Sequence, residues 1–111
     1  MTNKTEQPKA VSVIGGSGFV GTYFCNVLMS AGIPFKILDL SLSKSFPNQS
    51  SICDVRVKSD LEREIIGDVV VNLAAVHRDD VTDSAAYYQT NVLGAANVAQ
   101  VCKDKKIKKN K

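Results

Sequence analysis

Four closely spaced glycines are the residues of this chain best suited to chemistry. Gly15, Gly16, Gly18 and Gly21 follow the apolar run 11–14 and open an apolar-periodic segment. They fit both G-x-G-x-x-G, from Gly16, and G-x-x-G-x-x-G, from Gly15. A strand, a glycine turn and a helix in this order point backbone N–H groups at a phosphate. The spacing predicts a loop that holds a dinucleotide pyrophosphate, with a plain flexible loop as the alternative.

A carboxylate ends the next apolar run of the chain. Asp39 stands there, roughly 20 residues beyond the glycine turn, where an acidic side chain can bind the hydroxyls of an adenosine ribose. The same carboxylate would repel a 2′-phosphate, and no arginine lies nearby in the sequence. NAD is therefore favoured over NADP, while an aspartate that only begins a loop remains the alternative.

Strands and helices alternate along the segments that must position these residues. Strands are predicted at 10–14, 35–40, 51–55 and 68–75, and helices at 19–31, 60–66 and 84–105. This alternation predicts an α/β fold, a Rossmann-like doubly wound parallel sheet truncated to about four strands in the order 3-2-1-4. The fourth strand is continuously apolar, which is typical of a strand covered on both faces. It is also expected to form an unpaired edge open to self-association.

Apolar residues at helical spacing predict which faces the helices bury. The first helix is expected to bury Phe19, Tyr23, Phe24, Val27, Leu28 and Ala31, and the last helix Tyr88, Val92, Ala95, Ala99 and Cys102. The short middle helix is expected to bury Leu61, Ile65 and Ile66.

Length and composition favour a single intracellular domain. The chain has 111 residues, with no run near the roughly 20 apolar residues of a membrane helix. Met1–Lys9 lacks the apolar core of a signal peptide. Cys25, Cys53 and Cys102 have no paired spacing, so reduced, buried thiols and a cytoplasmic location are expected.

The net charge of +3 comes from the C-terminal end. The last nine residues carry six lysines and one aspartate, so the rest of the chain is mildly acidic. The predicted organisation is a disordered N-terminus at 1–9, a dinucleotide-binding half-domain at 10–107 and a basic tail at 108–111. The tail is interpreted as a solvated helix end rather than a nucleic-acid site, and no membrane association is expected.

Five local motifs occur in one order along the chain. They are Gly15-Gly16-Ser17-Gly18-Phe19-Val20-Gly21, Ile37-Leu38-Asp39, Cys53-Asp54-Val55-Arg56, Val71-Asn72-Leu73-Ala74-Ala75 and Thr90-Asn91-Val92-Leu93-Gly94. Together they resemble the extended short-chain dehydrogenase/reductase family, particularly its NAD-dependent nucleotide-sugar epimerases and dehydratases. The resemblance runs from about residue 10 to about residue 107.

The resemblance implies a set of NAD-binding residues. Gly15, Gly18 and Gly21 would form the phosphate turn with the backbone N–H groups of Phe19 and Val20. Asp39 would hold the ribose, and Asp54 and Val55 would hold the adenine. Leu73, Ala74 and Ala75 would lie under the pyrophosphate and nicotinamide ribose, and Asn91 would help to hold a water molecule. Structural roles remain open for several of these residues: a turn for Asp54, helix packing for the small residues and a helix hydrogen bond for Asn91.

The sequence departs from the family in its catalytic residues. The family's catalytic tyrosine has a lysine four residues later, but Tyr23, Tyr87 and Tyr88 are followed at that spacing by Val27, Asn91 and Val92. No catalytic residue is therefore predicted, and no metal-binding residue is expected. A role for His77 as an acid/base group and for Arg78 as a phosphate contact remains open.

Three functions fit a chain that looks truncated before its catalytic half. It is the NAD-binding portion of a nucleotide-sugar epimerase or dehydratase, which meets the sugar substrate only when the missing half is supplied. Alternatively, it is a non-catalytic NAD-binding regulatory module, or a non-functional remnant.

Overall fold

The computed structural model describes residues 7–74 and 89–111, and these form one parallel sheet with helices on both faces. The elements are β1 (Val11–Ile14), α1 (Phe19–Ser30), β2 (Phe35–Asp39), a 3₁₀ turn (Pro47–Gln49), β3 (Ser50–Ile52), α2 (Lys58–Glu64), β4 (Val69–Asn72), a π-helical turn (Gln89–Leu93), α3 (Gly94–Asp104) and β5 (Lys109–Asn110). Predictions for the N-terminal end, Ala75, His77, Arg78 and the start of the last helix fall wholly or partly outside these residues.

The strand order is β3-β2-β1-β4-β5, with every described neighbour parallel. The predicted order 3-2-1-4 is confirmed and extended by one strand. β5 pairs with Val69 and Val70, where the Lys109 N–H donates to the Asp68 carbonyl at 3.2 Å and the Lys111 N–H to the Val70 carbonyl at 2.7 Å. The expectation of an unpaired fourth-strand edge is therefore wrong along this half of β4.

Two apolar clusters fill the two faces of the sheet. One lies under α2 and α3 and contains Ile14, Leu38, Cys53, Val55, Leu61, Ile65, Val70, Val98, Val101 and Cys102. The other lies under α1 and contains Val11, Val13, Cys25, Leu28, Phe35, Ile37 and Phe46. In β4, Val70 is fully buried while Val69 and Val71 are half-buried, so full cover on both faces is wrong for this strand.

The buried face of α1 agrees with the predicted one at Leu28, with Phe24 partly packed against the same cluster, and differs at the other positions. Gly21, Cys25 and Leu28 face the sheet, whereas Phe19 is 93% exposed and Tyr23 71% exposed. The physical reason is close approach, since Gly21 lets the helix backbone come directly against Gly16. The closest contact is therefore made at Gly21, and the large side chains of Phe19, Tyr23 and Val27 are exposed.

A similar offset occurs in α3, where Gly94, Val98, Val101 and Cys102 are buried. Of the predicted stripe, Val92 is 47% exposed, Ala95 and Ala99 are exposed, and only Cys102 among the described members lies inside. The π-helical turn before α3 holds more residues per turn than an α-helix, which changes the phase of the face that follows. In the middle helix, Leu61 and Ile65 are buried as predicted, but Ile66 is 42% exposed.

All three cysteines are free and buried, as predicted. Across the described residues, no helix combines the length and the apolar character needed to cross a membrane.

Candidate functional site

A cleft of about 290 Å³ opens at the carboxyl ends of β1, β2 and β4. Open parallel sheets bind ligands at this edge. The described residues that line it are Ile14, Gly15, Gly18, Leu38, Asp39, Leu40, Cys53, Asp54, Val55, Arg56, Leu73, Ala74 and Thr90. Seven of the twelve predicted cofactor residues are among them.

The turn between β1 and α1 is built on two glycines that no other residue could replace without movement. Gly15 has φ +77°, and a methyl group added there would lie 2.7 Å from the Ala74 nitrogen. A methyl group on Gly21 would lie 2.6 Å from the carbonyl carbon of Gly16. Gly15 therefore allows the positive φ that the turn requires, while Gly21 allows the backbone of α1 to pack directly against the backbone of Gly16.

Gly18 differs from these glycines because its missing side chain faces open space. It precedes α1 with φ −78° and ψ −175°, and an added methyl group would meet nothing within 4 Å. The helix ladder begins with the Thr22 N–H donating to the Gly18 carbonyl at 2.9 Å. The N–H groups of Phe19 and Val20 therefore have no partner within the helix and carry the positive end of its dipole.

Asp39 is already fixed in place by the glycine turn. Its Oδ2 accepts a hydrogen bond from the Ser17 N–H at 3.0 Å, and its Oδ1 accepts one from the Leu40 N–H at 2.7 Å. The Ser17 hydroxyl donates to the Ser41 carbonyl at 2.7 Å, which ties the turn to the loop after β2. Because each carboxylate oxygen can accept two hydrogen bonds, Asp39 keeps acceptor capacity toward the cleft.

Asp54 forms a two-pronged ion pair with Arg56. The Arg56 Nε donates to Oδ1 at 2.9 Å and Nη2 donates to Oδ2 at 2.7 Å, while the Arg56 backbone N–H adds a bond of 2.9 Å to Oδ1. These hydrogen bonds hold the pKa of the Asp54 carboxyl below its ordinary value, so it stays ionised at neutral pH.

The backbone beside Asp54 is held from two further directions. The Asn97 side chain on α3 donates to the Val55 carbonyl at 2.9 Å, and the Asp54 N–H donates to Asp60 Oδ2 at 3.1 Å. Val55 is buried under the cleft. Hydrogen bonds to side chains on α2 and α3 therefore fix the backbone of the loop after β3.

The end of β4 closes the other side of the cleft. Leu73 and Ala74 line it, and the Ala74 N–H donates to Asn72 Oδ1 at 2.9 Å. Ala75 lies outside the described residues. Asn91 is half-buried on the π-helical turn and does not line the cleft, whereas its neighbour Thr90 does.

Cys53 follows β3 and lines the cleft, but its thiol is unreactive at neutral pH. Its pKa is raised to about 11, first by burial of the thiol and then by the nearby carboxylates of Asp60 and Glu64. The thiolate, which is the reactive form, is therefore scarce at neutral pH.

Six cleft residues were not predicted from the sequence. Ile14 and Leu40 had no distinguishing signal beyond their places at element ends. Leu38, Cys53, Arg56 and Thr90 belong to the motifs that carry the family resemblance but were given no role of their own. Of the predicted residues, Gly21 is buried behind the turn, Phe19 lines a neighbouring cleft with Ser17, Thr22 and Lys44, and Val20 is exposed and lines neither cleft.

The fold and the site define a dinucleotide-binding α/β unit of the Rossmann type. Residues 11–110 match the NAD dependent epimerase/dehydratase family, which is nearly the whole chain. The chain belongs to this family and corresponds to the NAD-binding portion of its fold.

Three relatives illustrate the similarity. An N-acetyl-alpha-D-glucosaminyl-diphospho-ditrans,octacis-undecaprenol 4-epimerase from Escherichia coli O157:H7 is 44% identical over 89 residues, covering 79% of this chain and 27% of that protein. A human sterol-4-alpha-carboxylate 3-dehydrogenase, decarboxylating, is 27% identical over 93% of this chain and 28% of its own length. The structure of a Thermus thermophilus UDP-glucose 4-epimerase in complex with NAD is 28% identical, with a TM-score of 0.78 over 91% of this chain and 36% of that one. The chain thus spans about a third or less of each relative.

Proposed function

We propose that this chain binds NAD, with the pyrophosphate at the start of α1 and the adenosine in the cleft. The observation that carries the proposal is the open space in front of Gly18, at a helix N-terminus and beside the cleft. A phosphate there would meet the N–H groups of Phe19 and Val20, and nothing but hydrogen projects from Gly18 to keep it away.

Asp39 would bind the adenosine ribose and set the preference for NAD. Its carboxylate is held at the mouth of the glycine turn by Ser17, so it needs no reorientation on binding. A 2′-phosphate would place a second negative charge against it. Lys44 lines the neighbouring cleft but is not one of the residues around Asp39 in the main cleft. NAD is therefore preferred over NADP.

The remaining predicted residues divide between the two ends of the cofactor. Asp54 and Val55 would hold the adenine, since both line the cleft on the side of β3. Leu73 and Ala74, together with Ala75, would lie under the pyrophosphate and the nicotinamide ribose. Asn91 would help to hold a water molecule.

For the reaction as a whole, we propose epimerisation or dehydration of a diphosphate-linked sugar, of which nucleotide sugars are one class. Support comes from the relatives, a diphospho-linked 4-epimerase and a UDP-glucose 4-epimerase among them. NAD supplies hydride transfer when bound. The 111 residues contain no tyrosine followed four residues later by lysine. The part of the reaction assigned to this chain is therefore to bind and orient NAD.

Calorimetric titration of the chain with NAD and NADP tests the proposal. NAD is expected to bind more tightly than NADP, and Asp39→Asn should weaken NAD binding by about 1–3 kcal/mol, roughly 5- to 150-fold in Kd. Asp104→Asn on the exposed end of α3 is the matched control and should leave both affinities unchanged. Failure of the native chain to bind NAD would refute the proposal, and an unchanged Kd in Asp39→Asn would remove Asp39 from the site.

A further inference from the structure

The ion pair between Asp54 and Arg56 leaves a defined amount of hydrogen-bonding capacity on the carboxylate. Oδ1 accepts from the Arg56 backbone N–H and from Nε, both at 2.9 Å. Oδ2 accepts from Nη2 at 2.7 Å, with a longer 3.2 Å contact from Nε. A carboxylate has about four acceptor positions. Nε carries a single hydrogen, which the two oxygens share, so three donor hydrogens occupy these positions and one position, on Oδ2, remains for a ligand.

The position of this pair is set by the surrounding backbone. Asp60 accepts from the Asp54 N–H, the Asn97 side chain binds the Val55 carbonyl, and the Val57 N–H donates to the Asp54 carbonyl at 2.9 Å. Both Asp54 and Arg56 line the cleft. The guanidinium is planar with its donors in a fixed fork, so pairing with both oxygens fixes the plane of the carboxylate as well as its charge.

We propose that Arg56 is a specificity-determining positioning residue, which makes the cleft select a 6-amino purine over a 6-oxo purine. The inference rests on the proposed function, since it concerns the adenine end of the same site. An adenine amino group can donate to the one open position on Oδ2. A 6-oxo group presents an acceptor to an ionised, acceptor-only carboxylate, so the 6-oxo oxygen repels Oδ2 and gains no hydrogen bond from it.

Without the Arg56 side chain, the carboxylate would keep only the backbone N–H bond to Oδ1 and would turn and hydrate more readily. Bridging water could then satisfy a 6-oxo group as readily as a 6-amino group, because water both donates and accepts hydrogen bonds. Affinity for the amino form should fall while affinity for the oxo form stays level or rises. If Arg56 only stabilised the loop, removing its side chain would instead weaken the binding of both ligands equally.

The test compares NAD with nicotinamide hypoxanthine dinucleotide, which differs from NAD by a 6-oxo group in place of the 6-amino group. The native chain should bind NAD at least about tenfold more tightly than the analogue, and Arg56→Ala should reduce this ratio to about threefold or less. Arg56→Lys keeps the charge without the two-pronged geometry and should give an intermediate ratio. Lys58→Ala removes an equal charge two residues away, outside the cleft, and should preserve the native ratio. Urea unfolding of each variant checks that it is folded.

Each result of this comparison is decisive. A native ratio of about ten or more that collapses in Arg56→Ala supports the proposal. Equal weakening of both ligands in Arg56→Ala overturns it, as does a native ratio near one, and in both cases NAD binding itself stands. If the native chain does not bind NAD, both the proposed function and this inference are overturned.

Discussion

Gly18 and Gly21 stand three residues apart at the start of α1, yet replacing each by alanine should have opposite consequences. At Gly18 the backbone is in an extended region that alanine adopts, and the new methyl group meets nothing within 4 Å. Alanine lowers the entropy of the unfolded chain, which stabilises the folded state by about 0.4–1 kcal/mol. Alanine is also a poorer N-cap residue than glycine, which offsets part of this gain. The free energy of unfolding should therefore change by less than about 0.5 kcal/mol.

The binding effect of Gly18→Ala is large because the methyl group fills the space assigned to the phosphate. Losing one hydrogen bond to a charged group costs about 1.5–3 kcal/mol, so the Kd for NAD should rise roughly 10- to 150-fold. Gly21→Ala places its methyl group 2.6 Å from the Gly16 carbonyl carbon, well inside the ordinary contact distance. The helix must move away from the sheet, at a cost of about 1–3 kcal/mol.

Urea unfolding and NAD titration on the same two variants separate these effects. Gly18→Ala should unfold like the native chain and bind poorly, whereas Gly21→Ala should unfold at lower urea concentration. The reasoning is refuted if Gly18→Ala binds NAD with native affinity, or if Gly21→Ala shows no loss of stability.

Three further outcomes follow from single contacts. Ser12→Ala should lower the free energy of unfolding, measured in urea, by about 1–3 kcal/mol. The buried Ser12 hydroxyl accepts from the Ile66 N–H at 2.9 Å and donates to the Ile66 carbonyl at 2.7 Å, and both bonds are lost. The Kd for NAD should stay unchanged. Asn97→Ala should weaken NAD binding by about 0.5–1.5 kcal/mol in calorimetry, since the Val55 carbonyl loses its donor; equal affinity would contradict this. Burial raises the pKa of Cys25 from 9.0 to about 11, so its contribution to stability is intact below pH 9 and is lost as pH rises toward 11, by about 1.4 kcal/mol per pH unit. Cys25→Ala should make this alkaline limb of the urea stability curve less steep, because Cys53, whose pKa is also raised to about 11, still contributes to it; an unchanged slope would count against this prediction.

The order of elements and the positions of the motifs could be predicted because their signals are local. An apolar run, a glycine turn and a periodic segment specify β1 and α1 within a few residues. The central strand order follows from the handedness of parallel connections. The same logic brought Gly15, Gly18 and Asp39 to one edge of the sheet, and the family resemblance added Asp54 and Ala74. The structure places all five around the cleft.

The packing of the helices could not be predicted from the size of side chains. Sequence spacing favoured Phe19, Tyr23 and Val27 together with Leu28 as the inner face of α1. Of these only Leu28 is buried, and it shares the inner face with Gly21 and Cys25. Helix rotation depends on where two backbones approach most closely, and that distance is a property of the pair of elements rather than of either segment.

The pairing within the site could not be read along the chain either. The sequence marked Asp54 as an acceptor for adenine but could not show that Arg56 already occupies most of that carboxylate, because the fork forms only when the turn after β3 is folded. In the same way, Asp39 and Ser17 lie 22 residues apart and become partners only across the sheet edge.

The sequence by itself therefore determined the class of fold, the strand order of the centre, the glycine turn and the acidic residues that face it, since these depend on short-range pattern and chain handedness. Only the tertiary structure decided the rotation of α1 and α3, the pairing of the lysine-rich end as β5, and the acceptor positions left open on Asp54. Each of these depends on the distance between groups that the chain brings together only when the two faces of the sheet are packed.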